Sequence, residues 1–202
     1  MPGRFFLTRP AGEVSAFIGA EVPEDPPRRN IAPGQQIIAR SANGAGPMRW
    51  GIIPVGRKNA RGRPVMETLI NARSETVFDK SAYEGVGRAV VPVEGWYEWT
   101  GAARRKTAWE IRPRDGGLMA LAAICDTWRA PGGQEVAQVA TVTCEPNADV
   151  RPIHHRMAVI LEPETIETWL TGTEAEAAEL MRPWPDGRLT VAEAVGVDWN
   201  GP

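Results

Sequence analysis

Three short stretches of this sequence carry side chains able to move protons. The first is RAVVPVEGWYEWT, residues 88–100, in which Glu98 stands between Tyr97 and Trp99. A run this rich in Val, Trp and Tyr, apolar on both alternating sets, reads as a strand buried on both faces. A carboxylate is almost never fully buried unless it is paired or working, so Glu98 needs either an internal arginine or a catalytic task. On one face of a single strand Glu94 and Glu98 would lie ~13 Å apart, too far to share a proton, unless a bulge at Gly95 reverses the order. The second stretch is INARSE, where Asn71 ends an apolar run ahead of Arg73 and Glu75. Asn in such a place is ordinarily a turn residue. The third is RPIHHRMAVIL, which holds both histidines of the chain, His154 and His155, at the entrance to an apolar strand. Neighbours on a strand point opposite ways, so at most one can face a site shared with Glu98; the other reading is a pair of loop histidines.

Positioning these side chains calls for a sheet. Strands are predicted at Phe5 to Leu7, Ile37 to Arg40, Met48 to Ile53 and Thr68 to Ala72, then over residues 89–99, 107–112, 118–128, 136–144 and 157–161, with a last short one near Leu189 to Val197. Pro10 to Ala20 reads as a brief helix with Val14, Phe17 and Ile18 inward, and Ser74 as the N-cap of another. EPETIETWLTG with the following TEAEAAELMRPWP is the clearest helical stretch, with Ile166, Trp169 and Leu170 at core spacing. Prolines in EVPEDPPRRNIAPGQQ predict an exposed loop, as does the arginine-rich GRKNARGRP. The composite is a mixed α+β fold in the α/β sense, a single domain over residues 1–202 with a mainly antiparallel β core and peripheral helices.

The bulk numbers narrow the function classes. The chain has 202 residues, 43% hydrophobic and 24% charged, with 18 Pro and 21 Gly, which predicts many turns and few long helices. A formal net charge of -2 argues against indiscriminate binding to nucleic acid, while leaving room for a local arginine cluster that tracks phosphates. Cys125 and Cys144 are too few for a disulfide framework or a zinc site, so a reducing cytoplasm is expected, with no metal. No segment approaches the ~20 apolar residues of a membrane span, so no membrane partner is expected.

The ordered set M-x-G-R at the N-terminus, NIAPGQ, RWGIIP, NARSE, EGWYEW and PIHHRM resembles the SOS response-associated peptidase family, also called abasic site processing proteins. Coverage is strongest over residues 1–170, leaving residues 171–202 as a C-terminal extension packed on the same domain. The resemblance implies a DNA-damage response protein that needs no cofactor, acts as a monomer in the cytoplasm and joins the nucleoid when on DNA. Its implied partner is single-stranded DNA containing abasic sites, to which the family crosslinks through its N-terminal residue. Carried over by motif, Asn71 would position the sugar, Glu98 would shuttle protons beside the N-terminal amine, and His154 would act on the sugar oxygen during ring opening. Gly3, Arg4, Arg73 and Arg156 would form the DNA-binding set, the arginines on phosphates, while Pro33 and Trp50 would stack on or wedge between bases.

The sequence departs from the family at residue 2, which is Pro2 where the family has cysteine, and at Ala158 where it usually has proline. A thiazolidine, which needs amine and thiol on one residue, cannot form at Pro2. Three consequences are open: a binder of abasic or single-stranded DNA without chemistry, a Pro2 secondary amine acting as nucleophile, or an unrelated activity. No Ser-His or Cys-His arrangement of an ordinary peptidase is legible.

Overall fold

The structure is a computed structural model that describes residues 2–54, 68–79, 83, 85–102, 105–130 and 132–201. The predicted GRKNARGRP loop with its three arginines, Arg57, Arg61 and Arg63, lies outside the described residues, as does Arg104.

The chain opens with β1 (Phe5–Leu7) and α1 (Ala11–Ile18), which ends at Gly19 in the left-handed conformation. β2 (Arg28–Ile31) follows, inside the segment expected to be a loop. Its prolines stop at Pro27, and from Arg28 the backbone pairs with β1, Phe5 opposite Ile31. Next come the hairpin β3 (Gln36–Ser41) and β4 (Gly44–Trp50), and β5 (Asn71–Arg73). A single 3-10 turn, Ser74–Thr76, replaces the expected helix, and Arg73 rather than Ser74 occupies its N-cap position.

The long run of residues 88–100 divides at Glu94 into β6 (Gly87–Val93) and β7 (Gly95–Thr100), which belong to different sheets. The single-strand reading fails because Glu94 turns outward at the corner, where it accepts the Thr8 hydroxyl at 2.8 Å and Arg9 at 3.2 Å. β8 (Thr107–Pro113), β9 (Met119–Arg129) and β10 (Glu135–Cys144) complete the long strands. The MAVIL segment forms two two-residue strands, β11 (Met157–Ala158) and β12 (Ile160–Leu161), followed by α2 (Ile166–Thr171), α3 (Glu174–Leu180) and β13 (Leu189–Glu193).

These elements make a mixed α+β fold with two sheets. One is open and antiparallel, in the order β13-β8-β7-β1-β2. In the other, β10, β4, β3, β6 and β9 pair in turn, and β9 pairs back to β10, so the five strands close into a barrel. Closure leaves none of those five as a bare edge, which matters for strands this apolar. Beyond Thr141 and Ala123, β9 and β10 part, and β11 pairs β10 while β12 pairs β9, so the segment fills the fork between them. Helices stay peripheral: α2 lays Trp169 against β6, its indole N–H donating to the Ala89 carbonyl at 2.8 Å.

Candidate active site at the N-terminal strand

β1 lies within the open sheet and packs its Phe5 against the barrel. Phe5 pairs with Trp96, and one step nearer the terminus the Tyr97 N–H donates to the Arg4 carbonyl at 3.0 Å. Continuing that register places Gly3 across from Glu98 and the buried Pro2 across from Trp99. Under β1 the fully buried Trp50 stacks on Phe5, ring centroids 4.1 Å apart, and donates its indole N–H to the Ile70 carbonyl at 3.0 Å. Ile70 immediately precedes Asn71. One tryptophan therefore fixes both the N-terminal strand and the residue that meets it: the Asn71 amide nitrogen donates to the Pro2 carbonyl at 3.0 Å.

Trp50 thus spends both ring and N–H inside the core, and its expected role as a base-stacking surface is not available in this arrangement. Asn71 is not a turn residue but a strand residue on β5, opposite Thr141 of β10. The Thr141 hydroxyl donates to the Asn71 side-chain oxygen at 2.5 Å, which fixes the amide with its N–H toward Pro2. Sequence reasoning missed Thr141. A fully buried threonine in an apolar strand was its only signal, and Thr is ordinary in strands.

Glu98 is 4% exposed. Burial pushes its carboxyl above the usual carboxylate range, while the positive amino terminus of the chain pulls it partly back. A carboxyl so raised keeps its proton to higher pH than an exposed glutamate does, and the carboxylate it leaves is a correspondingly stronger base. His154 lies in the turn after β10, where its Nδ1 accepts the Arg156 N–H at 3.0 Å. The Arg156 carbonyl stands 3.1 Å from the same nitrogen, so the Arg156 backbone holds Nδ1 in either tautomer of the neutral ring. Burial first, and then repulsion from the amino terminus, bring His154 down to about 4, so it is neutral at pH 7. The charge of the same terminus thus acts on both Glu98 and His154. The two histidines do not point apart as neighbours on a strand would: they sit in a turn with rings stacked at 4.3 Å.

The expected DNA-binding residues divide. Gly3 and Arg4 are half-buried on the N-terminal strand, with Arg4 Nε donating to Asn30 at 3.1 Å and Nη1 to the Gly3 carbonyl at 2.9 Å. Pro33 and Gly34 form the tip of a turn just past Ile31, the partner of Phe5, which puts Pro33 at the same end of the sheet as Pro2. Gly34 has φ 90°, and the Ala32 carbonyl accepts the Gln35 N–H at 3.2 Å, the arrangement Pro-Gly favours. Arg73 is exposed on β5, two residues from Asn71. Arg156 differs: it is 8% exposed and forks onto both oxygens of Glu75. Its guanidinium also donates to the Thr143 carbonyl, at 2.5 Å. As placed, Arg156 ties the 3-10 turn to the barrel and does not face a phosphate. The same pairing holds Glu75 down at about 2. Among the described residues no cluster of His, Cys, Asp or Glu is arranged to hold a metal.

The geometry defines a class: a β-barrel protein that presents its own N-terminal residues to a buried carboxylate, an amide and a neutral imidazole. The chain belongs to the family described as SOS response associated peptidase (SRAP), which matches residues 1–197. It is 32% identical over 152 residues to the abasic site processing protein YoaM of Bacillus subtilis, covering 71% of this chain and 66%, just under two thirds, of that relative. It is 28% identical to the abasic site processing protein YedK of Escherichia coli, over 84% of this chain and 79% of YedK. In fold it is similar to a crystal structure of a protein from Bacteroides thetaiotaomicron, with a TM-score of 0.82, 23% identity, and coverage of 96% of this chain and 92% of the other.

Proposed function

We propose that this protein processes abasic sites in DNA by reacting with the opened sugar through its N-terminal residue, on a single strand. The observation that carries this reading is the convergence on the N-terminal strand. Asn71 holds the Pro2 carbonyl, and Tyr97, the neighbour of the buried Glu98, donates its N–H to the Arg4 carbonyl, which brings the N-terminal residues alongside that carboxyl. The names of YoaM and YedK supply the substrate class. An abasic site is also the nucleotide that costs least to splay from a strand, since no base is stacked or paired there.

The chemistry follows from Pro2. While Met1 remains, the Pro2 nitrogen is an amide and unreactive; removal of Met1 leaves a secondary amine. That amine adds to the C1′ aldehyde of the ring-opened sugar, and the former carbonyl oxygen, protonated by Glu98, leaves as water to give an iminium cation. The cation acidifies C2′. Loss of a C2′ proton to the Glu98 carboxylate pushes the electron pair toward C3′, and the 3′ phosphate departs. Water then hydrolyses the iminium and frees the Pro2 amine. Neutral His154 takes or returns the proton of the sugar hydroxyl during ring opening. Because a proline iminium has no thiol to close a ring on it, the link is transient and has lyase character.

The test is borohydride reduction of the protein mixed with single-stranded DNA carrying an abasic site, with the adduct mapped by mass spectrometry. The expected result is a trapped species on Pro2 in molecules lacking Met1, reduced on the order of 100-fold in rate by Glu98→Gln with DNA affinity kept. No adduct on Met1-free protein, or an adduct elsewhere, overturns it. The substitution of Pro2 for cysteine favours one other reading, a non-catalytic binder of single-stranded or abasic DNA, for which Glu98→Gln changes neither affinity nor cleavage.

A further inference from the structure

After β13 the chain turns back over the outer face of the open sheet. The Ala194 N–H donates to the Ala108 carbonyl at 2.9 Å, and Trp199 meets Tyr97 and Trp99 edge-on at 5.0 and 5.3 Å. The far end of this strap is held by one side chain, that of Asn30 on β2. Its amide nitrogen donates to the carbonyls of Asp198 at 3.2 Å and Gly201 at 2.9 Å, and its oxygen accepts Arg4 Nε at 3.1 Å. The orientation of the amide is forced, because a guanidinium can only donate and a carbonyl can only accept. Asn30 is 4% exposed, so each of these bonds replaces one to water that burial removed.

From Asn30 the connection runs to the reacting end of the chain. Arg4, held at Nε, returns Nη1 to the Gly3 carbonyl at 2.9 Å and gives its own carbonyl to the Tyr97 N–H at 3.0 Å. Gly3 is the residue that the continued β1–β7 register sets across from Glu98. The strand pairing of β1 with β7 ends at Phe5, and the bonds of Arg4 carry that register on toward Gly3 and Pro2.

We propose that Asn30 is a positioning residue for the reactive end of β1, and that the C-terminal strap, residues 194–201, holds Asn30 in the orientation that captures Arg4. This rests on the reading that the N-terminal residue reacts with the sugar. Asn30 touches no reacting atom; it sets where Pro2 stands relative to Glu98. The strap anchors Asp198, Trp199 and Gly201 lie beyond the residues matched to the family.

Three full-length variants test this: Asn30→Ala, Trp199→Ala and the pair together. Hydrogen exchange of the peptide covering residues 3–7, measured without DNA, reads the clamp directly, and borohydride trapping reads its consequence. Under the proposal Asn30→Ala speeds exchange about tenfold and slows trapping at saturating abasic single strand about tenfold, the equivalent of one net hydrogen bond. The DNA concentration for half-saturation rises by about threefold at most. Trp199→Ala shifts both in the same direction by less, and adds nothing once Asn30 is alanine. Trp199 is 39% exposed, so its variant keeps the test available if Asn30→Ala does not fold. Unchanged exchange at residues 3–7, multiplicative effects of the two substitutions, or faster exchange with trapping unchanged each overturn the proposal. If the unaltered protein traps no DNA, the reaction assigned to Pro2 falls, and the clamp stands or falls on exchange alone.

Discussion

At His154 burial, and after it the charge of the amino terminus, set what the ring can do. The folded state holds it at about 4, below the usual 6.5. Above pH 6.5 neither folded nor unfolded chains protonate it, and it leaves stability untouched. Between 6.5 and 4 the unfolded chain binds the proton first, so stability falls as pH falls, and below 4 the loss levels off. Glu75, held at about 2 by Arg156 against a usual 4.5, adds a second loss as pH falls from 4.5 toward 2. Urea titrations from pH 7 to 4 should therefore show a decline in the upper window that His154→Gln flattens, while the decline below 4.5 persists. An unchanged slope between 6.5 and 4.5 in the variant would remove the neutral buried state from the account. At this scale the sequence is readable where a residue is expensive. A carboxylate between Tyr97 and Trp99 announces itself, whereas Asn30 and Thr141 are cheap residues whose value lies in partners 168 and 70 positions away.

The strands were legible wherever an apolar run stood between turn residues, and less so where two runs touch. Local pattern cannot tell one long strand from two that enter different sheets, which is why residues 88–100 mislead. The separation depends on Gly95. Its missing Cβ leaves space for the Phe6 ring: a Cβ there would meet Phe6 and the Ile111 carbonyl, each at 2.4 Å. Backbone cannot yield cheaply on the Ile111 side, and Phe6 is part of β1. Gly95→Ala should cost about 2–3 kcal/mol in denaturant unfolding through overpacking. It should also loosen β1 and slow trapping more than any equal loss of stability placed in α3. The missed strand β2 has a similar cause. Four prolines from Pro23 to Pro33 dominate the local reading, yet the four residues between Pro27 and Ala32 carry none, and the open edge of β1 captures them.

Taken as a whole, the molecule has no long-range attraction for a polyanion: 25 acidic residues against 23 basic give a net -2. Much of the basic complement is spent internally, with Arg9, Arg28, Arg40, Arg129, Arg156 and Arg188 in ion pairs to carboxylates. Under the proposed function, DNA affinity then comes from a few contacts at the end of the sheet where Pro2, Pro33 and Glu98 collect. Arg4 and Arg73 are the arginines the site itself provides. Each phosphate neutralised on a single strand contributes about -0.7 to the slope of log affinity against log salt. Two contacts predict a slope near roughly -1.4, shallow for a DNA-binding protein, and Arg73→Ala should reduce its magnitude by about 0.7. Fluorescence anisotropy with an unreactive abasic analogue across a salt series measures both. A slope steeper than about -3 would require further phosphate contacts, and Arg57, Arg61 and Arg63 would be the first to substitute. A shallow slope that Arg73→Ala leaves unchanged would instead move the strand's path away from β5, and with it the approach of the sugar to Asn71.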